Sequence, residues 1–151
     1  MFAQHTLWLT GPGCRATAVI DRGVMKTGLA IYSSDLGKLV SFYQDVFGFA
    51  VIEVEPDFAL LEHGEFELVI LETDISRSLN NQSSTPVPRE ATPLKPTFFV
   101  DDYLQDISKK VIAHGGSMRE PKDWTFGGKL VCDGWDCEGN IFQLRAPMGS
   151  D

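Results

Sequence analysis

Gly28-Leu29-Ala30-Ile31-Tyr32-Ser33-Ser34-Asp35-Leu36 runs a short apolar strand into an acidic cap, and the plan returns 67 residues later at Lys95-Pro96-Thr97-Phe98-Phe99-Val100-Asp101-Asp102-Tyr103. Asp35, Ser41, Gly48 and Glu53 recur at that offset as Asp102, Ser108, Gly115 and Glu120. Apolar positions recur with them, Ile31, Leu36, Val40 and Val51 as Phe98, Tyr103, Ile107 and Met118. Leu39/Asp106 and Tyr43/Lys110 disagree, so the weight rests on the shared order of element types. A duplicated unit matters because two copies facing each other enclose a cleft, and clefts are where small ligands bind.

Around the first stretch, Leu36, Leu39, Val40, Tyr43 and Phe47 fall at helical spacing and predict one buried stripe. Ser33 or Ser34 is the expected helix cap, with Asp35 favourable in the first turn and Gly48 as the stop. Strands are expected at 49–54, 58–61 and 66–71, with a turn at Glu62-His63-Gly64-Glu65. In the second unit a strand at 97–100 leads to a helix capped by Asp101 or Asp102 and carrying Leu104, Ile107 and Val111 on its apolar side. His114 closes that helix, where a histidine serves the helix dipole or solvent. Strands at 117–120, 128–132 and 140–145 follow. The class is α+β: two tandem βαβββ units forming an open, cleft-enclosing mixed β-sheet with helices outside.

The units span 26–72 and 96–147, joined by a proline-rich polar linker at 73–95, within one domain covering 25–151. Residues 1–24 form an N-terminal extension, either a tail or a hairpin turning at Gly11-Pro12-Gly13. With 13 basic and 21 acidic residues the formal charge is −8, and no basic stripe suits nucleic acid. No apolar run is long enough to span a membrane, and the start lacks a signal-peptide pattern. Cys14, Cys132 and Cys137 are odd in number and lack zinc-type spacing, which reads as reduced thiols in a cytoplasm.

Together these residues resemble the vicinal oxygen chelate superfamily, the glyoxalase/bleomycin-resistance/extradiol-dioxygenase fold. Ser34-Asp35-Leu36, Ser41-Phe42-Tyr43 and Phe47-Gly48-Phe49 resemble its DL…FY…LGF first helix. Val100-Asp101-Asp102 resembles the VDD that opens the second helix, and Asp136-Cys137-Glu138-Gly139-Asn140-Ile141-Phe142-Gln143-Leu144 resembles the DPDGNxIEL hairpin. The likeness covers roughly residues 26–147.

The resemblance implies metal ligands at four positions, which here hold Gly28, Lys95, Gln143 and either Glu67 or Glu72. Glycine has no side chain, a lysine ammonium has no lone pair, and glutamine is a weak ligand. The expectation is therefore no metal and no cofactor, and a role closer to the superfamily's drug-sequestering members. On that reading the protein captures a small aromatic or cationic compound, as a homodimer, with no nucleic acid or membrane partner. Trp124, Phe126 and Trp135, flanking Gly127-Gly128, are the expected stacking surfaces, with Gly28, Lys95 and Gln143 on the pocket floor and Glu67 a further binding candidate. Asp133, Asp136 and Glu138 are the expected counter-charges, and no catalytic residue is singled out. The alternative is a metal-dependent lyase, isomerase or dioxygenase with a non-standard ligand set. A third reading gives the extension a role in assembly.

Overall fold

The computed structural model describes residues 26–73 and 86–148; the extension, with His5 and Cys14, and linker residues 74–85 lie outside the described residues. The first unit runs β1 (Thr27–Ser33), α1 (Leu36–Phe47), β2 (Ala50–Val54), β3 (Phe58–His63) and β4 (Phe66–Glu72). The second runs β5 (Thr97–Phe99), α2 (Leu104–Ala113), β6 (Ser117–Met118), β7 (Thr125–Phe126), β8 (Lys129–Trp135) and β9 (Ile141–Ala146). Both sheets are wound alike, β1-β4-β3-β2 and β5-β9-β8-β6, each with its first strand parallel to its last. The α+β class and the twofold βαβββ plan are those expected from the sequence.

Local chemistry differs from the expectation at the helix starts. Asp35 itself caps α1, its Oδ1 accepting the Lys38 N–H at 3.1 Å, while Ser33 turns inward. Tyr103 occupies the cap of α2 without a side-chain bond, and Asp102 instead pairs with Lys110 at 3.3 Å. Gly48 ends α1 in a left-handed conformation, as its spacing predicts. The buried stripe of α1 is Leu36, Leu39, Phe42, Tyr43 and Val46, so Phe42 and Val46 join it while Val40 and Phe47 lie at its margin. β7 is an addition: Gly127-Gly128, both at positive φ, make a two-residue hairpin turn into β8.

One hydrophobic cluster contains Phe42, Tyr43 and Val46 of α1, Ile107 and Val111 of α2, Leu61, Leu68 and Ile70 of the first sheet, and Phe142 and Leu144 of the second. Phe47 lies 4.7 Å from Phe98 and 5.3 Å from Phe142, ring to ring, so the first unit's helix packs on the second unit's sheet. Both sheets thus turn their backs, together with both helices, to a shared core, and the other face of each sheet is open. Those open faces point away from the core. Among the described residues, neither covers the other.

Candidate functional site

The Asp136–Asn140 turn fixes how the units meet. Asp136 is fully buried; its Oδ1 accepts the Glu138 and Asn140 N–H groups at 2.9 and 3.0 Å, and its Oδ2 accepts Tyr43 Oη at 3.0 Å. Burial pushes its pKa above the ordinary aspartate value, against the pull of those hydrogen bonds. Gly139 holds φ +86°, and a Cβ there would meet Val87 O at 2.2 Å, so only glycine fits. Glu138 is buried too, and reaches the start of α1: Ser33 Oγ at 2.6 Å and the Ser34 and Asp35 N–H groups at 3.0 Å. Asp136 and Glu138 are therefore committed to the fold and do not serve as counter-charges for a ligand.

The open face of the second sheet is different. Strand register puts Asp133 opposite Gln143 and Val131 opposite Arg145. Gln143 Nε2 donates to Asp133 Oδ1 at 3.2 Å and its Oε1 accepts Arg145 Nε at 2.9 Å. Lys95 Nζ reaches Asp133 Oδ2 at 3.0 Å, with Lys122 Nζ at 3.6 Å from the same oxygen. The Arg145 guanidinium lies 4.3 Å over the Phe126 ring, and Phe126 is 62% exposed. Burial alone would raise the Asp133 pKa. Hydrogen bonds from Lys95 and Gln143, helped by the charges of Lys95 and Lys122, hold it below the ordinary value. Asp133 thus stays ionised and organises the cations around it.

Of the residues singled out from sequence, Lys95, Gln143 and Phe126 are brought together here. Trp124 is exposed immediately before β7. Trp135, farther along β8, is half-buried; Arg119 lies 5.8 Å from its ring, and its buried Nε1 has no partner among the described residues. Glu67 lies on the first sheet, opposite Gly28, and pairs with Lys26 at 3.0 Å; Lys26 also pairs with Glu62. Lys122, Arg145 and Lys129 were not picked out. Alternation along Lys129–Trp135 and Ile141–Ala146 was the available signal, but it needed the register between the strands.

A model of the glyoxalase/bleomycin resistance protein/dioxygenase superfamily matches residues 27–133. The chain belongs to that superfamily. Its fold is shared by a glyoxalase/bleomycin resistance protein/dioxygenase family enzyme from Burkholderia phytofirmans PsJN, at TM-score 0.60 and 20% identity over 80% of this chain and 97% of that one. A lactoylglutathione lyase from Agrobacterium tumefaciens matches at TM-score 0.56 and 20% identity, over 83% of this chain and 95% of the other. The fosfomycin resistance protein FosX of Listeria monocytogenes, in a structure with Mn(II) and sulfate, matches at TM-score 0.60 and 17% identity over 84% and 91%. A comparison with curated proteins found no match.

The superfamily's metal positions, as the resemblance places them, do not fit a divalent ion in this chain. At Gly28 a Cβ would meet the Glu67 carbonyl oxygen at 2.8 Å, so the two strands close the space a ligand side chain would need. Lys95 is an ammonium paired with Asp133, and Gln143 points its amide nitrogen, not its oxygen, at that carboxylate. Glu67 pairs with Lys26, and Glu72, the alternative, lies opposite Ser33, on the other face of the sheet from Gly28. Among the described residues no group of three His, Cys, Asp or Glu side chains converges.

A cavity of about 660 Å³ opens beside the free edge of β5, lined by Phe47, Phe49, His63, Phe66 and Phe98 among others. Of its acids, Asp102 pairs with Lys110, which lines the same cavity, and Asp45 lies 3.2 Å from His114. None of the candidate binding residues named from the sequence (Trp124, Phe126, Trp135, Lys95, Gln143 and Glu67) lines it.

Two predictions arise from these environments. Because the folded Asp133 pKa lies below that of an unfolded aspartate, its stabilising contribution is complete above the unfolded value and disappears as pH falls through the folded one. Asp133→Asn should therefore lose about 1–3 kcal/mol at neutral pH. The deficit should shrink as urea denaturation is repeated toward pH ~3; a deficit constant with pH would contradict the assignment. Separately, burial pushes the Cys132 thiol up to about 11 and Cys137 up to about 12, with Asp133 and Asp136 adding to the effect. Both should resist iodoacetamide in the folded protein and react once it is unfolded, as peptide mapping will read. Fast alkylation of either in the native state would show it to be reactive.

Proposed function

We propose that this superfamily member captures an aromatic small molecule without a metal, on the open face of its second sheet. One observation carries the reading. Where a metal would be held, the chain places the ion-pair and amide network Lys95–Asp133–Gln143–Arg145, beside the exposed Phe126 ring. Trp124 stands at the start of the same hairpin and adds a second aromatic surface. A ring stacked there gains from area and from the neighbouring guanidinium. A cationic compound is disfavoured beside Lys95, so the aromatic half of the expectation is the better supported. The network has no base or nucleophile freed for chemistry, which favours capture over turnover.

The partner proposed is a second copy. The first sheet's open face carries Glu53, Glu62 and Glu67 against Lys26, while the second's carries Lys95, Lys122, Lys129 and Arg145 against Asp133. A twofold dimer sets the acidic face of one copy against the basic face of the other, twice, and encloses two clefts. Tyr32 and Phe99, 59% and 70% exposed, then gain cover. Buried reduced thiols suit a reducing compartment such as the cytoplasm. No helix among the described residues is long and apolar enough to cross a membrane. A metal-dependent lyase or resistance enzyme is the second reading, favoured by the fold neighbours that include a lactoylglutathione lyase and FosX.

The test is a thermal-shift screen of aromatic compounds on chelator-treated protein. Stabilising compounds should emerge, and the Trp124→Ala/Phe126→Ala variant should lose their shifts. Stabilisation that appears only after a divalent ion is restored would favour the enzyme reading instead. Sedimentation of a monomer at micromolar concentration would remove the dimer.

A further inference from the structure

The chain as a whole is acidic, at −8, yet one sheet face sets Lys95 and Lys122 on the Asp133 carboxylate and Arg145 beside them through Gln143, with Lys129 farther along β8. Lys95, Lys122 and Arg145 outnumber the one carboxylate they surround, so the face keeps a positive surplus where a ligand would sit. An anion seated directly on it meets those cations at closer range than the acidic face that the proposed dimer sets across the cleft. From this we infer that the captured molecule is an aromatic anion, a carboxylate being the simplest case. The inference deepens the capture reading and rests on it.

The geometry is layered. Asp133, only 7% exposed at its side chain, lies behind the two lysines, whose side chains are 39% and 35% exposed. Each ammonium carries three donors, and among the described residues Lys95 spends one on Asp133, leaving protons for a ligand on the solvent side. Arg145 spends Nε on Gln143 and lays its guanidinium on Phe126. No bond from its two terminal nitrogens appears among the described residues, and that planar pair matches a carboxylate. The ligand's ring would lie along Phe126, with its anionic group between Arg145 and the lysines. Asp133 positions the lysines and also repels the ligand, so it sets affinity from behind.

Three naphthalenes of like size test this: 2-naphthoate, 2-naphthalenemethanol and 2-naphthylmethylammonium, titrated calorimetrically into the full chain. The expected order puts 2-naphthoate at least about tenfold tighter than the alcohol, since charge-assisted bonds are worth that much. Its affinity should fall as salt is raised. Lys95→Gln, Lys122→Gln and Arg145→Gln should each weaken it about tenfold, with the fold checked by circular dichroism. Asp133→Asn should strengthen 2-naphthoate binding even as it lowers stability, an opposition that plain structural damage does not produce. Equal binding of all three compounds, or preference for the ammonium, overturns the anion inference while leaving capture standing. Binding of none of them overturns both.

Discussion

Glu138→Ala is expected to destabilise the fold by about 3–5 kcal/mol, because it strips a buried carboxylate from the groups that need it. That carboxylate accepts Ser33 Oγ at 2.6 Å and the Ser34 and Asp35 N–H groups at 3.0 Å, where α1 begins, with the Arg89 guanidinium 4.0 Å away. Removing it takes the acceptor from the Ser33 hydroxyl and the Ser34 N–H, at about 1–3 kcal/mol each. The Asp35 N–H keeps Ser33 Oγ at 3.0 Å, while a negative charge is lost from the positive end of the helix. Glu138→Gln should fall between, since it keeps one acceptor but sets an NH₂ against N–H donors. Urea denaturation reads the loss as a lower midpoint at unchanged slope. A loss under about 1 kcal/mol would mean that water replaces the carboxylate, and that this turn does not tie the second unit to the first.

Phe142→Ala should cost a similar amount, about 3–5 kcal/mol, for a different reason. The ring is fully buried in β9 and meets Phe47 at 5.3 Å, Phe98 at 6.1 Å and Phe42 at 6.4 Å, so its loss opens a cavity between α1 and the second sheet. Because the backs of both sheets share one core, the variant should still unfold in one transition. Two separate transitions would show that each unit keeps a core of its own.

The repeat, the stripe of α1 and the Gly48 stop were legible because each depends on residues close in sequence and on a fixed period. The cap of α1 was misplaced by two positions or less, since Ser33, Ser34 and Asp35 are all good caps and only the distant Glu138 decides which way Ser33 turns. The same long-range bond explains why Glu138, expected from the sequence as a counter-charge for a ligand, proves to be buried and spent on the start of α1. β7 escaped notice because two residues carry no periodicity; its turn, Gly127-Gly128, was the visible part.

The site was legible only in part. Lys95 and Gln143 emerged from the resemblance, and the structure brings both to Asp133. What the linear chain hid was the sign of the face. Lys122, Lys129 and Arg145 lie on three segments whose convergence depends on strand register. Glu67, placed beside them by the same resemblance, lies on the other sheet, where it would reach a ligand only across a dimer interface.

Capture without metal is tested most directly by measuring the affinity of 2-naphthoate twice, first in excess chelator and then in excess manganese(II). Binding is expected in chelator, with the same affinity in manganese, since Lys95, Lys122 and Arg145 rather than an ion meet the ligand. Binding that appears only when manganese is present would contradict it.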